Sequence, residues 1–319
     1  MEEIVPGYCV VRRDPVDDLG LISTYIVHDS DRALVVDPGT AGNPGPATVK
    51  SIQELGLDPS SDLVGIVCTH GHPDHIGGVG TLKKVTGAPV MIHADDARML
   101  EVPRAFVDER LVLDKIGKLA TMFEHGPLKV NYKGIRPDML LTDGQSIQVG
   151  DIRLEVVHTG GHSAGHVVLF DRRRRVLLSG DEICNYPLDP RLFYLDLSGN
   201  LTMKLSALEM LSSLNPEHVL PFHDYPCSSE RALRSICDMR EGVLEFKDVV
   251  LQTLELRSEA DLAQLCYDIS DFFAHIVPRG PEALLSTTVF VALRSLETSG
   301  IVHRKANGIW KVVSPVQPR

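Results

Sequence analysis

Long apolar runs are missing from this chain, and none reaches the roughly 18 residues that would cross a membrane as a helix. Aromatic residues are sparse, at 5% with a single tryptophan, so aliphatic side chains must fill whatever core forms. Positive charge is in deficit. A net charge of -11 argues against broad attraction to phosphate backbones. The N-terminal stretch MEEIVPGYCVVRRD has acidic residues where a signal peptide carries positive charge, and no apolar segment leads to a small-residue cleavage site. The expectation is therefore a cytoplasmic protein. Cysteines are few and scattered (Cys9, Cys68, Cys184, Cys227, Cys237, Cys266) with no CxxC pair, which excludes a cysteine zinc knuckle and a disulfide framework and leaves free thiols.

What is present is an ordinary globular composition, 43% hydrophobic and 24% charged over 319 residues, enough for one large domain or a large domain with a small one. CVVRR, STYIVHD and RALVVDPG alternate with turns as an antiparallel meander does. A helix is expected over Pro46 to Leu55, where Val49, Ile52 and Leu55 share a face and Gly56 ends it. The apolar run LVGIVCT then reads as a buried strand delivering a loop. A second β-rich half follows: LTDGQSIQVG as a hairpin with an Asp-Gly turn, then IRLEVVHT, HVVLFD and RVLLSGD. Arg172 to Arg175 lie between two of these strands, as the charged tip of a hairpin would. Between the halves, residues 103–134 have near-helical spacing at Phe106, Val112, Ile116, Leu119 and Phe123, which fits core or dimer packing or a lid.

From about Glu241 the pattern changes to three helical stretches (GVLEFKDVVLQTLEL, EADLAQLCYDISDFF, PEALLSTTVFVALRSLETSG) and IVHRKANGIWKVV, a hairpin around Asn307-Gly308. Three helices and a β-wing make a winged-helix-like module, expected over residues 239–319 beside a catalytic domain of residues 1–238. Its charges nearly balance, which favours packing or dimerisation over nucleic-acid binding.

The chemistry concentrates in Thr69-His70-Gly71-His72-Pro73-Asp74-His75-Ile76-Gly77-Gly78. Chance would yield this H-x-H-x-D-H string in roughly one chain in a thousand of this composition. In an extended loop His70 and His72 point the same way, while Pro73 starts a helix whose first turn carries Asp74 and His75 toward a neighbouring position. One segment can thus feed two metals. Imidazole and carboxylate suit a borderline cation such as Zn²⁺. Later strand ends offer further ligands: His162 in HTGGHSAGH, Asp181 in LLSGDEI and His223 in LPFHD.

This set resembles the metallo-β-lactamase superfamily over essentially the whole chain, in particular its glyoxalase II-like and winged-helix-tailed branches. The resemblance implies an α+β fold, a four-layer αβ/βα sandwich with the winged-helix-like tail appended. It further implies His70, His72 and His162 on one metal, Asp74, His75 and His223 on a second, and Asp181 bridging both with a shared water or hydroxide. The VVDPG segment with Asp37 resembles the family's strand-turn that supports the metal loops. Two departures stand out: Gly160-Gly161-His162 replaces the usual Pro-Gly-His, and Phe222-His223-Asp224 replaces the usual Gly-His-Gly. His72 stands where the flavodiiron branch generally has Glu, which favours hydrolysis over redox chemistry.

Several residues nearby have blander readings. His158 and His166 flank His162 and are expected to support it; His93 sits at a strand-to-helix junction and reads as a cap or packing residue. Tyr186 and Tyr194 follow Asp181 and could donate to an oxyanion, although buried loop tyrosines are common. Two divalent ions, Zn²⁺ first and Mn²⁺ or Fe²⁺ as alternatives, would generate hydroxide near neutral pH and polarise the bond under attack, with Asp74 and Asp181 as the catalytic carboxylates. The leading reading is hydrolysis of a small ester, thioester or lactone. An endoribonuclease acting on single-stranded RNA is the alternative, followed by an iron-dependent oxygenase or a non-catalytic binding protein. A homodimer is expected, and no membrane partner.

Overall fold

The computed structural model describes residues 1–12, 21–41, 45–112, 129–184, 191–273 and 282–313. The first half builds a seven-stranded sheet in simple order: β1 (Glu2–Val5), β2 (Tyr8–Arg12), β3 (Ser23–His28), β4 (Ala33–Val36), β5 (Leu63–Val67), β6 (Val90–His93) and β7 (Met139–Leu141). The first four strands pair antiparallel, as the meander pattern predicts, and β4 to β7 pair parallel. Parallel neighbours need crossovers. These are supplied by α1 (Gly45–Glu54), α2 (Pro73–Ile76), α3 (Val79–Thr86), α4 (Ala94–Glu101) and α5 (Ala105–Arg110).

The second sheet has six strands in the order β13-β12-β11-β10-β9-β8: β8 (Ser146–Val149), β9 (Ile152–His158), β10 (Val167–Asp171), β11 (Val176–Gly180), β12 (His218–Pro221) and β13 (Cys227–Ser228). Helix α6 (Leu201–Ser213) joins β11 to its parallel neighbour β12.

Side-chain alternation along the strands sorts the core into layers. Tyr25, Val27, Leu34 and Val36 of the first sheet meet Leu154, Val156, Val167 and Leu169 of the second in the cluster between the sheets. Ile26, Val35, Ile66 and Ile92 point the other way, under α1, α3 and α4. Val168, Phe170, Leu177 and Val219 face the later helices. Helices, sheet, sheet and helices thus stack in four layers, the expected solution for two sheets that each bury both faces.

Three expectations need correction. Asp143-Gly144 does turn, with Gly144 at φ 74°, but it closes no hairpin. The strand before it pairs with β6 in the first sheet and the strand after it with β9 in the second, because Gly144 N–H and Gln145 C=O are taken by Val156. The turn is the crossing between sheets. Within residues 103–134, α5 ends at Arg110, Leu111 is extended and residues 129–134 are not helical; residues 113–128 lie outside the described set, so a lid there is not addressed. The first helix of the tail, α7 (Glu230–Arg257), starts twelve residues earlier than its apolar periodicity indicates and runs unbroken through residues 238 and 239.

After α7 come β14 (Glu259–Ala260), α8 (Leu262–Phe273), α9 (Glu282–Thr298), β15 (Val302–Arg304) and β16 (Trp310–Val312), the last two forming a hairpin with Gly308 at φ 85°. Trp310, Leu296 and Leu265 join the same core cluster as Phe170 and Val219. The arginine run sits at the β10–β11 tip, where Arg172 pairs with Glu155, Arg174 with Asp171 and Arg175 with Glu217. No helix among the described residues is long and apolar enough to cross a membrane.

Candidate metal centre

The seven residues singled out by motif come from four segments at one edge of the two sheets. His70 and His72 follow β5, Asp74 and His75 form the first turn of α2, His162 lies between β9 and β10, and Asp181 and His223 follow β11 and β12. Ser23 N–H donates to Phe222 C=O at 2.9 Å, joining the two sheets beside His223. Gly77 gives α2 its close approach, since a β-carbon there would lie 2.4 Å from Ala41 N.

The structure brings these residues together in two buried groups. His70, His72, His162 and Asp181 each place a ligand atom within 4.8 Å of the others, as do Asp74, His75 and His223. Asp181 also reaches the second group, with Oδ1 3.2 Å from His75 Nε2 and Oδ2 3.4 Å from His223 Nε2. His223 Nε2 is 3.4 Å from Asp74 Oδ2.

The hydrogen bonds behind two of the rings assign their tautomers. Thr69 N–H and O–H both donate to Asp37, each at 2.8 Å. With its proton committed, the Thr69 oxygen accepts from His70 Nδ1–H at 3.1 Å, which leaves His70 Nε2 as a buried lone pair with no partner. His72 Nε2–H donates to Asp196 Oδ2 at 3.2 Å, so its Nδ1 lone pair faces His162 Nε2 at 3.1 Å. Asp181 Oδ1 and both His75 nitrogens are buried without a hydrogen bond, although His75 Nδ1 lies 3.0 Å from Asp37 Oδ2. Converging lone pairs and anionic oxygens in a dry site repel unless a cation sits among them, and the donor set of imidazole and carboxylate is that of a divalent metal. The residues fit such an ion.

Their electrostatics say the same. Burial and neighbouring imidazoles hold His70 and His162 well below the ordinary histidine pKa. Burial also acts against protonated His75 and His223, yet at His75 the Asp181, Asp37 and Asp74 carboxylates outweigh it and push the pKa well above normal. At His223, Asp181 and Asp74 push it up to about 9. Asp181 is buried too, but His223 and His75 hold its carboxyl well below the usual range.

Behind these candidate ligands stand His166, which the sequence reading expected as a support, and several groups that it missed. His166 Nε2 accepts from Asp181 N–H at 3.0 Å, and its Nδ1 lies 2.9 Å from Thr159 Oγ1, as a supporting residue should. Lys204 and Glu182 form a fully buried ion pair at 3.5 Å, and Lys204 Nζ donates to the carbonyls of Asp181 and Glu182 at 3.3 and 3.0 Å. Asp196, Asp96 and Arg110 are likewise buried next to the loops. None sits in a recognisable motif. Gly160 explains one departure from the family pattern: at φ 59°, with its N–H donating to His166 C=O, it occupies a conformation closed to proline.

His93 is the N-cap of α4, accepting from Asp95 N–H at 3.3 Å. It stacks on His158 at 4.2 Å with rings 4° from parallel. Parallel rings cannot aim in-plane lone pairs at one ion, so His93, Asp95 and His158 make a poor metal site as they stand. Tyr194 is half-buried against the core under the first sheet, and Tyr186 lies outside the described residues.

These features define a metallohydrolase-type centre on a four-layer sandwich, and the family model of the metallo-beta-lactamase superfamily matches residues 17–223. The chain belongs to that superfamily. Among its relatives, the acyl-coenzyme A thioesterase MBLAC2 of Gallus gallus is 29% identical over 220 residues, covering 66% of this chain and 75% of its own. A hydroxyacylglutathione hydrolase of Albidiferax ferrireducens is 27% identical over 239 residues, 74% of this chain and 73% of its own. In fold, the chain is similar to a metallo-beta-lactamase family protein from Thermus thermophilus with a TM-score of 0.70 at 21% identity, covering 97% of this chain and 100% of the other.

Proposed function

We propose that this protein is a dinuclear metal-dependent hydrolase acting on a small thioester, ester or lactone. The observation that carries the reading is Asp181, whose two carboxylate oxygens stand between the His75/His223 side and the His162 side of one buried site. Two zinc ions there would supply Lewis acidity, lowering the pKa of a shared water toward neutrality and drawing charge from the substrate carbonyl. His70, His72 and His162 would hold the first ion, Asp74, His75 and His223 the second, with Asp181 common to both. Asp74, whose Oδ2 lies beside His223, would orient the attacking water. Asp37, Asp196 and His166 keep His70, His75, His72 and Asp181 in register, so that the site needs little reorganisation during reaction.

The names of the thioesterase and hydroxyacylglutathione hydrolase relatives favour a thioester among carbonyl substrates. In this reading residues 1–238 form the catalytic domain and residues 239–319 a winged-helix-like unit packed on it, with α7 continuous across the boundary; the core shared by Trp310 and Phe170 supports packing over an independent binding role. Six free cysteines support a reducing, cytoplasmic setting. A homodimer belongs to the same proposal, and a monomeric mass in light scattering across a wide concentration range would refute it.

The decisive experiment pairs elemental analysis with hydrolysis of an acyl-coenzyme A, a glutathione thioester, a lactone and single-stranded RNA, before and after chelation. Two equivalents of zinc with chelator-sensitive thioester cleavage support the proposal. Cleavage of RNA alone would move the substrate to the nucleic-acid class, and bound iron without hydrolysis would replace the reaction type with oxygen chemistry.

A further inference from the structure

A buried arginine ties the loops of the first ligand group together. Arg110, the last residue of α5, is 8% exposed, and its guanidinium sits between two buried carboxylates. Nη2 donates to Asp96 Oδ1 at 3.0 Å and to Asp95 C=O at 2.6 Å; Nη1 donates to Asp196 Oδ2 at 3.3 Å and to the Ser198 hydroxyl. The same Asp196 oxygen accepts from His72 Nε2–H. On the other side, Asp96 Oδ2 accepts from Gly71 N–H at 3.0 Å and from Ser163 O–H at 2.6 Å. Gly71 lies between His70 and His72, and Ser163 follows His162.

We propose that Arg110 is a positioning residue for the first ion: through Asp196 it sets the His72 ring, and through Asp96 it holds the His70–His72 loop against the His162 loop. The inference rests on the metal-binding reading of the site. Two features separate it from mere packing. Both carboxylates remain well supplied with donors without the arginine, Asp196 from Ser198 and Gly199 and Asp96 from Gly71 and Ser163, so Arg110 is not needed merely to satisfy them. The planar fork of a guanidinium can span two carboxylates and a carbonyl at once, which the point charge of lysine cannot do with the same geometry. None of its contacts touches Asp74, His75 or His223, so its effect falls on one ion.

The test is a cobalt(II) titration of the metal-free protein, read by the visible spectrum and by competition with a chelator. It compares wild type, Arg110→Lys, Arg110→Met and His72→Ala, the last marking which step belongs to the first group. Expected is a loss of about 10- to 100-fold in first-ion affinity in both Arg110 variants, with an altered spectrum for that ion and an unchanged second step. Arg110→Lys keeps the charge, so its failure to restore affinity assigns the effect to geometry. Wild-type affinity in Arg110→Lys and Arg110→Met, or an equal loss at both steps, overturns the positioning role while leaving the metal centre intact. A wild-type protein that takes up no cobalt overturns the metal reading and this inference with it.

Discussion

Asp37 Oδ2 lies 3.0 Å from His75 Nδ1, and the same carboxylate accepts both the N–H and the hydroxyl of Thr69, with all three residues buried. One side chain at the end of β4 therefore orients His75 directly and His70 through Thr69. Its backbone is held at φ 52°, which aspartate tolerates better than most residues. Asp37→Ala is expected to weaken binding of both ions by about 10- to 100-fold, the usual cost of removing such a partner. Chelator competition measures it. A loss confined to one ion would show that the two ligands are not coupled through Asp37.

The metal-free protein should be most stable near pH 6.5. His223, raised to about 9, contributes stability that is full below the unfolded histidine value and lost as pH rises from about 6.5 to about 9. His75 acts with the same sign. His70, His162 and His166 have depressed values, so their contribution is present above about 6.5 and lost as pH falls below it. Thermal midpoints in excess chelator across pH 5 to 9 read this directly, and a midpoint still climbing from pH 7 to 9 would contradict it. Because the ions displace these protons, metal affinity should rise over the same interval.

Gly161 is pressed against the pair behind the site: a β-carbon there would lie 2.5 Å from Glu182 Oε1 and 2.6 Å from Lys204 Cα. The backbone of α6 cannot yield as a side-chain tip would. Gly161→Ala should cost about 1–3 kcal/mol by overpacking and displace His162. Denaturant unfolding with a metal titration tests both parts; full stability and full metal content would show that the loop yields freely.

Lys204→Met should be more damaging than the gain of an apolar side chain implies, at about 3–5 kcal/mol, because Glu182 is left charged and buried. Adding Glu182→Gln should recover much of that loss. If the double variant is no more stable than the single one, the ion pair is not the source of the cost.

Much of the site was legible because its chemistry needs rare residue types at short spacing. Within residues 70–75 the two-residue step along an extended loop and the helix start at Pro73 together imply two directions of approach. The Asp143-Gly144 turn misleads because turn chemistry specifies a reversal but not its partner strand. The start of α7 is hidden because residues 230–241 are mostly polar and their helicity follows from docking Ala232, Ile236 and Met239 onto the second sheet.

By itself the sequence determined which segments carry the candidate ligands, the alternation that layers two sheets, and the identity of all seven converging side chains. Only the tertiary structure decided how they converge: Asp181 reaching both groups, and the tautomers set by Thr69 and Asp196. It also placed Asp96, Glu182 and Lys204 behind the site, 20 to 67 residues along the chain from their partners in the ligand loops, with Arg110 behind Asp96. Short-range pattern encodes local direction, whereas a buried charge declares its role only when folding removes water and forces it to find a partner.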